Sequence, residues 1–342
     1  MSTSPRVVVV GVGAIGGTIS AALGERGVSV TAISSNPQVY AAVERYGFRV
    51  RSSGSERVVL GRIAHRLEGF YDLCVLATQP QDVEEAARVA LPHVDRDGVF
   101  VVLQNGLCEE RVAKVVGSHR VVGAIVAWGA SMPEPGVYER TAVGGWTIGA
   151  YAGASARDIA HVGDVLRFVG PVSVTDNLAG ARWSKLALNC AVSAIGTIAG
   201  ERLGSLILVR RYRRLALEVM SEAVAVGLAS GVDFEKIGGT VDLRWVALTD
   251  ADRTAWLAAA LVSKHALLAV VGLRYRRLRS SMLAAMERGR RPAIDFLNGE
   301  IVSRGARLGV PTPFNQAICD TVWAISRGEA QSSRAVLDSL CD

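Results

Sequence analysis

Val7-Val8-Val9-Val10-Gly11-Val12-Gly13-Ala14-Ile15-Gly16-Gly17 is the stretch on which the fold turns. Four valines in a row suit a strand buried on both faces. Glycines at Gly-x-Gly-x-x-Gly spacing follow at once. Thr18 to Arg26 then reads as a helix closed by Gly27, and Val28 to Ile33 as a second strand. Strand, glycine turn, helix and strand in that order make a βαβ unit of the dinucleotide-binding kind. Gly11 permits the tight turn, Gly13 lets backbone approach a pyrophosphate, and Gly16 lets helix pack close to strand. The helix N-terminus presents free N–H groups and a partial positive charge to the phosphates, and Ala14 and Ile15 of the turn are counted with the glycines as cofactor-binding. Glycine is common in this chain, 36 of 342 residues, so the spacing alone would equally describe a turn with no ligand. Its place after four valines and before a helix favours the ligand.

Strand and helix signals alternate through the N-terminal half. Pro37 to Tyr46 reads as a helix, Arg57 to Leu60 as a strand, and Leu73 to Ala77 as a strand introduced by Asp72. Gln81 to Ala90 is helical, Gly98 to Leu103 a strand, and Glu109 to Val116 helical; Val121 to Trp128 and Gly144 to Gly149 are later strands. Such alternation predicts a doubly wound parallel sheet, with ligands outside the carboxyl ends of its strands. Three turns belong there: Gly11 to Gly16, Thr78-Gln79-Pro80 and Gln104-Asn105-Gly106. Past Asp176 the strand signals fade and alanine, leucine and arginine recur at helical spacing. The expected division is an α/β domain over residues 1–177 and a helical domain over 178–342, with the substrate in the cleft between them.

Composition narrows the function classes. Half of the residues are hydrophobic, enough for a large core, yet charges interrupt every apolar run before it reaches ~18 residues. The stretches Ala191 to Val209 and Trp256 to Leu273 read as buried helices. The short polar N-terminus runs straight into the first strand and shows no signal-peptide pattern. Five scattered cysteines, Cys74, Cys108, Cys190, Cys319 and Cys341, suggest free thiols in a reducing cytoplasm and no metal site. Net charge is +6, with arginine clusters at Arg210-Arg211-Arg213-Arg214, Arg274-Arg276-Arg277-Arg279 and Arg288-Arg290-Arg291. Solvated helix faces and attraction to an anionic cofactor or substrate explain these better than nucleic-acid binding. No membrane or nucleic-acid partner is expected. Apolar helices and arginine-rich faces suggest a homodimer.

Arg182-Trp183-Ser184-Lys185-Leu186-Ala187-Leu188-Asn189-Cys190 opens the helical half. Together with Gly11 to Gly16, Gln104-Asn105-Gly106, Glu134-Pro135-Gly136, Ser280-Ser281-Met282, Ile294 to Gly299 and Gly309-Val310-Pro311-Thr312-Pro313, it resembles the ketopantoate reductase (2-dehydropantoate 2-reductase) family over almost the whole chain. The resemblance implies a Rossmann domain followed by an all-α domain of the 6-phosphogluconate-dehydrogenase type. It also implies NADPH-dependent reduction of a 2-oxo acid to the 2-hydroxy acid. That chemistry requires an acid at the carbonyl oxygen as hydride arrives at carbon. Lys185 matches the family's catalytic lysine. Asn189, one turn further on the same helix face, matches a substrate-binding asparagine. Asn105 matches the asparagine near the nicotinamide ribose and reacting carbonyl. Ser281 matches the serine that binds the substrate carboxylate, and is also suited to capping the helix it begins. His265, alone on an apolar stretch, suits burial better than catalysis.

The chain departs from the family where the substrate's hydroxyl end would bind. Ser193, counted here among the substrate-binding residues, replaces a second asparagine. Leu278 replaces a third, and Pro292-Ala293 replaces Thr-Glu. Losing hydrogen-bonding groups weakens discrimination for a hydroxylated substrate by several kcal/mol. This points to a related oxo acid with a less polar tail. The altered shell leaves two alternatives open: an oxidoreductase of the same architecture acting on another substrate, such as an imine, opine or hydroxy acid, and a cofactor-binding sensor without turnover. Cofactor choice rests on Ile33-Ser34-Ser35-Asn36, which lacks the carboxylate an NAD site places after the second strand. Ser34, Ser35 and Asn36 instead offer donors to a 2′-phosphate, and Gln79 stands where the family has a lysine. NADPH is the expected cofactor, with NADH the alternative.

Overall fold

β1 (Arg6–Val10) lies inside an eight-stranded sheet, which accounts for its unbroken valines. It pairs in parallel with a neighbour on each edge, and Val7, Val8 and Val9 are fully buried. The computed structural model describes residues 5–52, 54–254, 259–274 and 279–341. Trp256, Arg276, Arg277 and Leu278, used in the sequence argument, lie outside the described residues, as does the side chain of Arg274. The chain divides into two compact units, Met1–Leu178 and Ala179–Asp342.

In the first unit the remaining strands, in chain order, are β2 (Ser29–Ile33), β3 (Phe48–Ser52), β4 (Ser55–Val59), β5 (Arg62–Ala64), β6 (Tyr71–Leu76), β7 (Val94–Val102), β8 (Val121–Val126), β9 (Gly129–Ser131), β10 (Val137–Ala142), β11 (Trp146–Ala150) and β12 (Val172–Val174). The helices are α1 (Ala14–Glu25), α2 (Pro37–Tyr46), α3 (Val83–Ala90), α4 (Cys108–Val116) and α5 (Ala156–Arg167). The large sheet has the order β12-β11-β8-β7-β6-β1-β2-β5. Its six strands from β8 to β5 are parallel, as expected of a Rossmann domain, and the order reverses between β1 and β6. The sheet is not parallel throughout: β11 joins β8 antiparallel, and β12 follows β11.

A second sheet, β4-β3-β10-β9, was not evident from the sequence. Residues 57–59, expected as a strand, lie in its β4. This sheet covers α1. Tyr138 of β10 is fully buried, and a Cβ at Gly17 would come within 1.9 Å of its ring. The absence of a side chain at Gly17 therefore lets the tyrosine lie flat on α1. Phe48 of β3 packs beside Tyr138 with ring centroids 6.0 Å apart.

The second unit is helical, as its alanine- and leucine-rich periodicity predicts. Its helices are α6 (Leu178–Ala199, the first residue still in the first unit), α7 (Leu203–Ile207), α8 (Arg210–Ala229), α9 (Leu243–Val246), α10 (Asp250–Thr254), α11 (Ala259–Arg274), α12 (Ser281–Met286), α13 (Asn298–Leu308), α14 (Pro313–Ser326) and α15 (Arg334–Asp338). None of the helices among the described residues is long and apolar enough to cross a membrane. Buried polar groups fix the packing. Asn298 donates to the Cys190 carbonyl at 3.1 Å and to the Asn315 side chain at 2.9 Å; Asn315 donates to Glu222 at 2.7 Å. This chain ties α13 and α14 to α6 and α8. Burial raises the Glu222 pKa against the lowering effect of Asn315 and its neighbouring N–H. Lys264 and Asp252 form a buried ion pair at 2.5 Å, with Lys264 also donating to the Ala247 carbonyl at 2.7 Å. Several clustered arginines are occupied within this unit: Arg213 donates to the carbonyls of Ile207 and Leu208, Arg214 pairs with Glu218, and Arg211 with Asp338.

His265 of α11 is buried with no partner for Nδ1 among the described residues. Burial, reinforced by Arg213, Arg210 and Arg214, lowers its pKa from 6.5 to about 4. The imidazole folds neutral, so the unfolded chain takes up the proton first. Its contribution to stability is intact above pH 6.5 and is lost as pH falls to about 4. Replacing His265 by leucine should therefore flatten the acid side of the stability profile, measured by urea unfolding across that range. An unchanged slope would contradict the buried neutral state.

Candidate active site

The turns that follow β1, β2, β6 and β7 are stitched together by backbone hydrogen bonds. Gly11 N–H donates to the Ile33 carbonyl at 3.0 Å, Ala77 N–H to Val10 at 2.8 Å, and Leu103 N–H to Leu76 at 3.3 Å. Gln104 reinforces the rim, its amide donating to the carbonyls of Leu76 and Thr78 at 3.1 Å each. Its bridging role was not drawn from the sequence, although Gln-Asn-Gly carried the signal. The four turns therefore form one continuous edge at the carboxyl ends of the sheet.

The three motif glycines are used in different ways. Gly11 has φ +100°, and a Cβ there would lie 2.7 Å from the Thr78 amide nitrogen. A Cβ on Gly16 would come within 1.9 Å of the Gly11 carbonyl oxygen. A Cβ on Gly13 would meet no protein atom within 4 Å. Gly13 is the N-cap of α1 and offers no capping side chain, so the helix opens on Ala14 and Ile15 with its N–H groups toward that space. An open cradle above an uncapped helix start suits an anionic ligand.

Elsewhere on the rim, Asn36 caps α2, its side-chain oxygen accepting from the N–H groups of Gln38 and Val39 at 2.9 and 3.2 Å. The buried Ser34 hydroxyl donates to the Asn36 carbonyl at 3.4 Å and accepts its N–H at 3.3 Å. Ser34 and Asn36 thus shape the turn, leaving the Asn36 amide group as a donor beside the exposed Ser35. Gln79 is half-buried and Asn105 exposed, each at its own strand end.

In the second unit, Lys185, Asn189 and Ser193 recur every fourth residue and share one face of α6. All three are half-buried, whereas Trp183, Leu186, Ala187, Cys190 and Ala194 are buried. The rotation of α6 is fixed from below. Trp183 packs edge-on to Phe234 at 6.4 Å, and Ser184 donates to the Glu235 carbonyl at 2.6 Å. The α12 start joins this face through Ser280, which donates to the Ser193 carbonyl at 2.9 Å and lies 2.8 Å from the Thr197 hydroxyl. Ser280 also caps α12, accepting from Leu283 N–H at 3.3 Å. The cap therefore belongs to Ser280, correcting the capping role considered for Ser281, whose hydroxyl stands exposed on the first turn. Asp295, close to Ala293, accepts from Trp323 Nε1 at 2.9 Å. It is otherwise exposed.

Residues 7–153 match the family described as ketopantoate reductase PanE/ApbA, and residues 177–326 match its C-terminal domain. The chain belongs to the PanE/ApbA ketopantoate reductase family. Membership makes it an oxidoreductase acting on a CH–OH group. A 2-dehydropantoate 2-reductase of Pyrococcus horikoshii is 25% identical over 325 residues, covering 95% of this chain and 97% of its own. A PanE/ApbA family ketopantoate reductase from Ralstonia eutropha, also 25% identical, superposes with a TM-score of 0.77 over 94% of this chain and 99% of its own. D-mandelate dehydrogenase, solved with NADH and anilino(oxo)acetate, shares the fold with a TM-score of 0.78 at 19% identity, over 94% of this chain and 99% of its own.

Within this ketopantoate reductase scaffold, the first two motif glycines, Gly11 and Gly13, should separate by experiment. Gly11→Ala forces a Cβ into backbone at a positive φ and should destabilise the protein by more than about 1 kcal/mol. Gly13→Ala should leave the thermal midpoint unchanged, because its Cβ enters open space. Equal losses of stability, measured by urea unfolding, would contradict this geometry.

Proposed function

We propose that this protein reduces a 2-oxo acid to the 2-hydroxy acid with NADPH, using Lys185 as the general acid. The observation that carries the reading is the α6 face. Lys185, Asn189 and Ser193 are aligned on it, held from behind by Trp183 and Ser184, and joined from the side by the start of α12. Family membership supports the reaction class, and we read this constellation as the place where that reaction occurs.

The first unit fits a dinucleotide. Gly13 leaves a cradle that a Cβ would fill, and the uncapped start of α1 supplies N–H groups from Ala14, Ile15 and Gly16 for the pyrophosphate. Gln79 and Asn105 stand on the same rim and would meet the nicotinamide half of the cofactor. No carboxylate follows β2, which removes the repulsion a 2′-phosphate would meet there and favours NADPH over NADH. When bound, the nicotinamide supplies a hydride to the carbonyl carbon of the substrate.

The residues of this chain handle the oxygen and the carboxylate. The Lys185 ammonium donates a hydrogen bond to the carbonyl oxygen, stabilises the charge that develops there, and gives up a proton to form the hydroxyl group. Asn189 orients the substrate through its side-chain amide, and Ser281 donates to the carboxylate. Ser193 is shorter than the family asparagine, and Ala293 brings a methyl where the family has a carboxylate. This shell suits a 2-oxo acid whose tail is less polar than that of ketopantoate.

Lys185→Ala should lower kcat by about 10²–10⁴-fold while NADPH affinity, titrated by fluorescence, stays within about threefold of wild type. Unchanged turnover would overturn the assignment of the acid.

A further inference from the structure

The sequence shows no cation immediately after β2, yet the sheet brings one there from another strand. β5 lies parallel to β2 with Ala64 opposite Ile33, and Ser34 N–H donates to the Ala64 carbonyl at 3.0 Å. The two strands end together, so His65-Arg66 leaves β5 beside Ser34-Ser35-Asn36. His65 is fixed at this junction in two ways. Its Nδ1 donates to the Ser34 carbonyl at 3.2 Å, and its ring stacks on Tyr40 of α2, with centroids 3.7 Å apart and planes at 24°. Arg66 follows this anchor directly. It is exposed and makes no ion pair among the described residues. The nearby acids are engaged elsewhere: Glu68 pairs with Arg62 at 3.0 Å, and Glu44 accepts from the Tyr40 hydroxyl.

We propose that Arg66, positioned by the His65–Tyr40 stack, reads the 2′-phosphate of the dinucleotide together with Ser35 and the Asn36 amide. This rests on the dinucleotide reading above and assigns its phosphate specificity to the end of β5 rather than to the end of β2. The chemistry is that of a phosphate monoester. A guanidinium presents paired N–H donors to two of its oxygens, and a hydroxyl and a carboxamide complete the set. An unphosphorylated ribose gives Arg66 nothing to pair with, so the residue acts on discrimination more than on overall binding.

The test is calorimetric titration of the full chain with adenosine 2′,5′-bisphosphate and with 5′-AMP, in wild type, Arg66→Ala and Arg66→Glu. Wild type should bind the bisphosphate at least about tenfold more tightly, as expected for a charge-assisted contact. Arg66→Ala should bring the two affinities within about threefold, with 5′-AMP binding unchanged, and Arg66→Glu should invert the preference. Discrimination that survives in Arg66→Ala, or a wild type that binds both ligands equally, would overturn the assignment to Arg66 while leaving the dinucleotide reading in place. A wild type that binds neither ligand nor NADPH nor NADH would overturn both.

Discussion

At Gly16 a Cβ atom would sit 1.9 Å from the Gly11 carbonyl oxygen, and at Gly11 it would sit 2.7 Å from the Thr78 amide nitrogen. This backbone-to-backbone contact sets the distance between α1, β1 and the β6 turn. From it follow the direction in which α1 opens, the space beside Gly13, and the alignment of the neighbouring turns. Tyr138 extends the same constraint to the far side of α1, where only a glycine at position 17 lets its ring lie against the helix. Side-chain volume is thus excluded on the protein side of the turn and left open on the solvent side. Such an asymmetry suits a ligand whose phosphates must approach main-chain N–H groups.

The helical unit solves a different problem. Under the proposed mechanism, Lys185 has to be held in one orientation on a helix that could otherwise rotate. Trp183 and Ser184, on the opposite face of α6, provide that restraint through Phe234 and the Glu235 carbonyl. The Asn298–Asn315–Glu222 chain supports α6 from a third direction, and because its members are buried, loss of one would strand the others without partners. On the proposed substrate face the residues vary. Ser193 and Ala293 depart from the pattern the resemblance implies, while Asp295 accepts from Trp323 Nε1.

Much of this was legible because the signals were local. The buried centre of the large sheet appears as consecutive valines, and the helix expected at Pro37 to Tyr46 coincides with α2. The stripe on α6 is visible in the four-residue spacing of Lys185, Asn189 and Ser193. The small sheet was not legible because β3 and β10 are partly exposed, carry arginine and glutamate, and pair across long sequence separations. The antiparallel direction of β11 leaves no mark in an apolar pattern. Either serine of Ser280-Ser281 suits a cap, and the choice is made by Ser193 and Thr197 on a helix distant in sequence. The placement of His65-Arg66 beside β2 likewise depends on strand order, which one strand's sequence does not contain.

The central claim is that these two units carry out NADPH-dependent reduction of a 2-oxo acid. The most direct measurement is the rate of NADPH oxidation by purified wild-type protein with ketopantoate and with 2-oxo acids of increasingly apolar tail. The account predicts turnover, with kcat/KM greater for an apolar-tailed acid than for ketopantoate. Tight NADPH binding with no oxidation by any 2-oxo acid would contradict it.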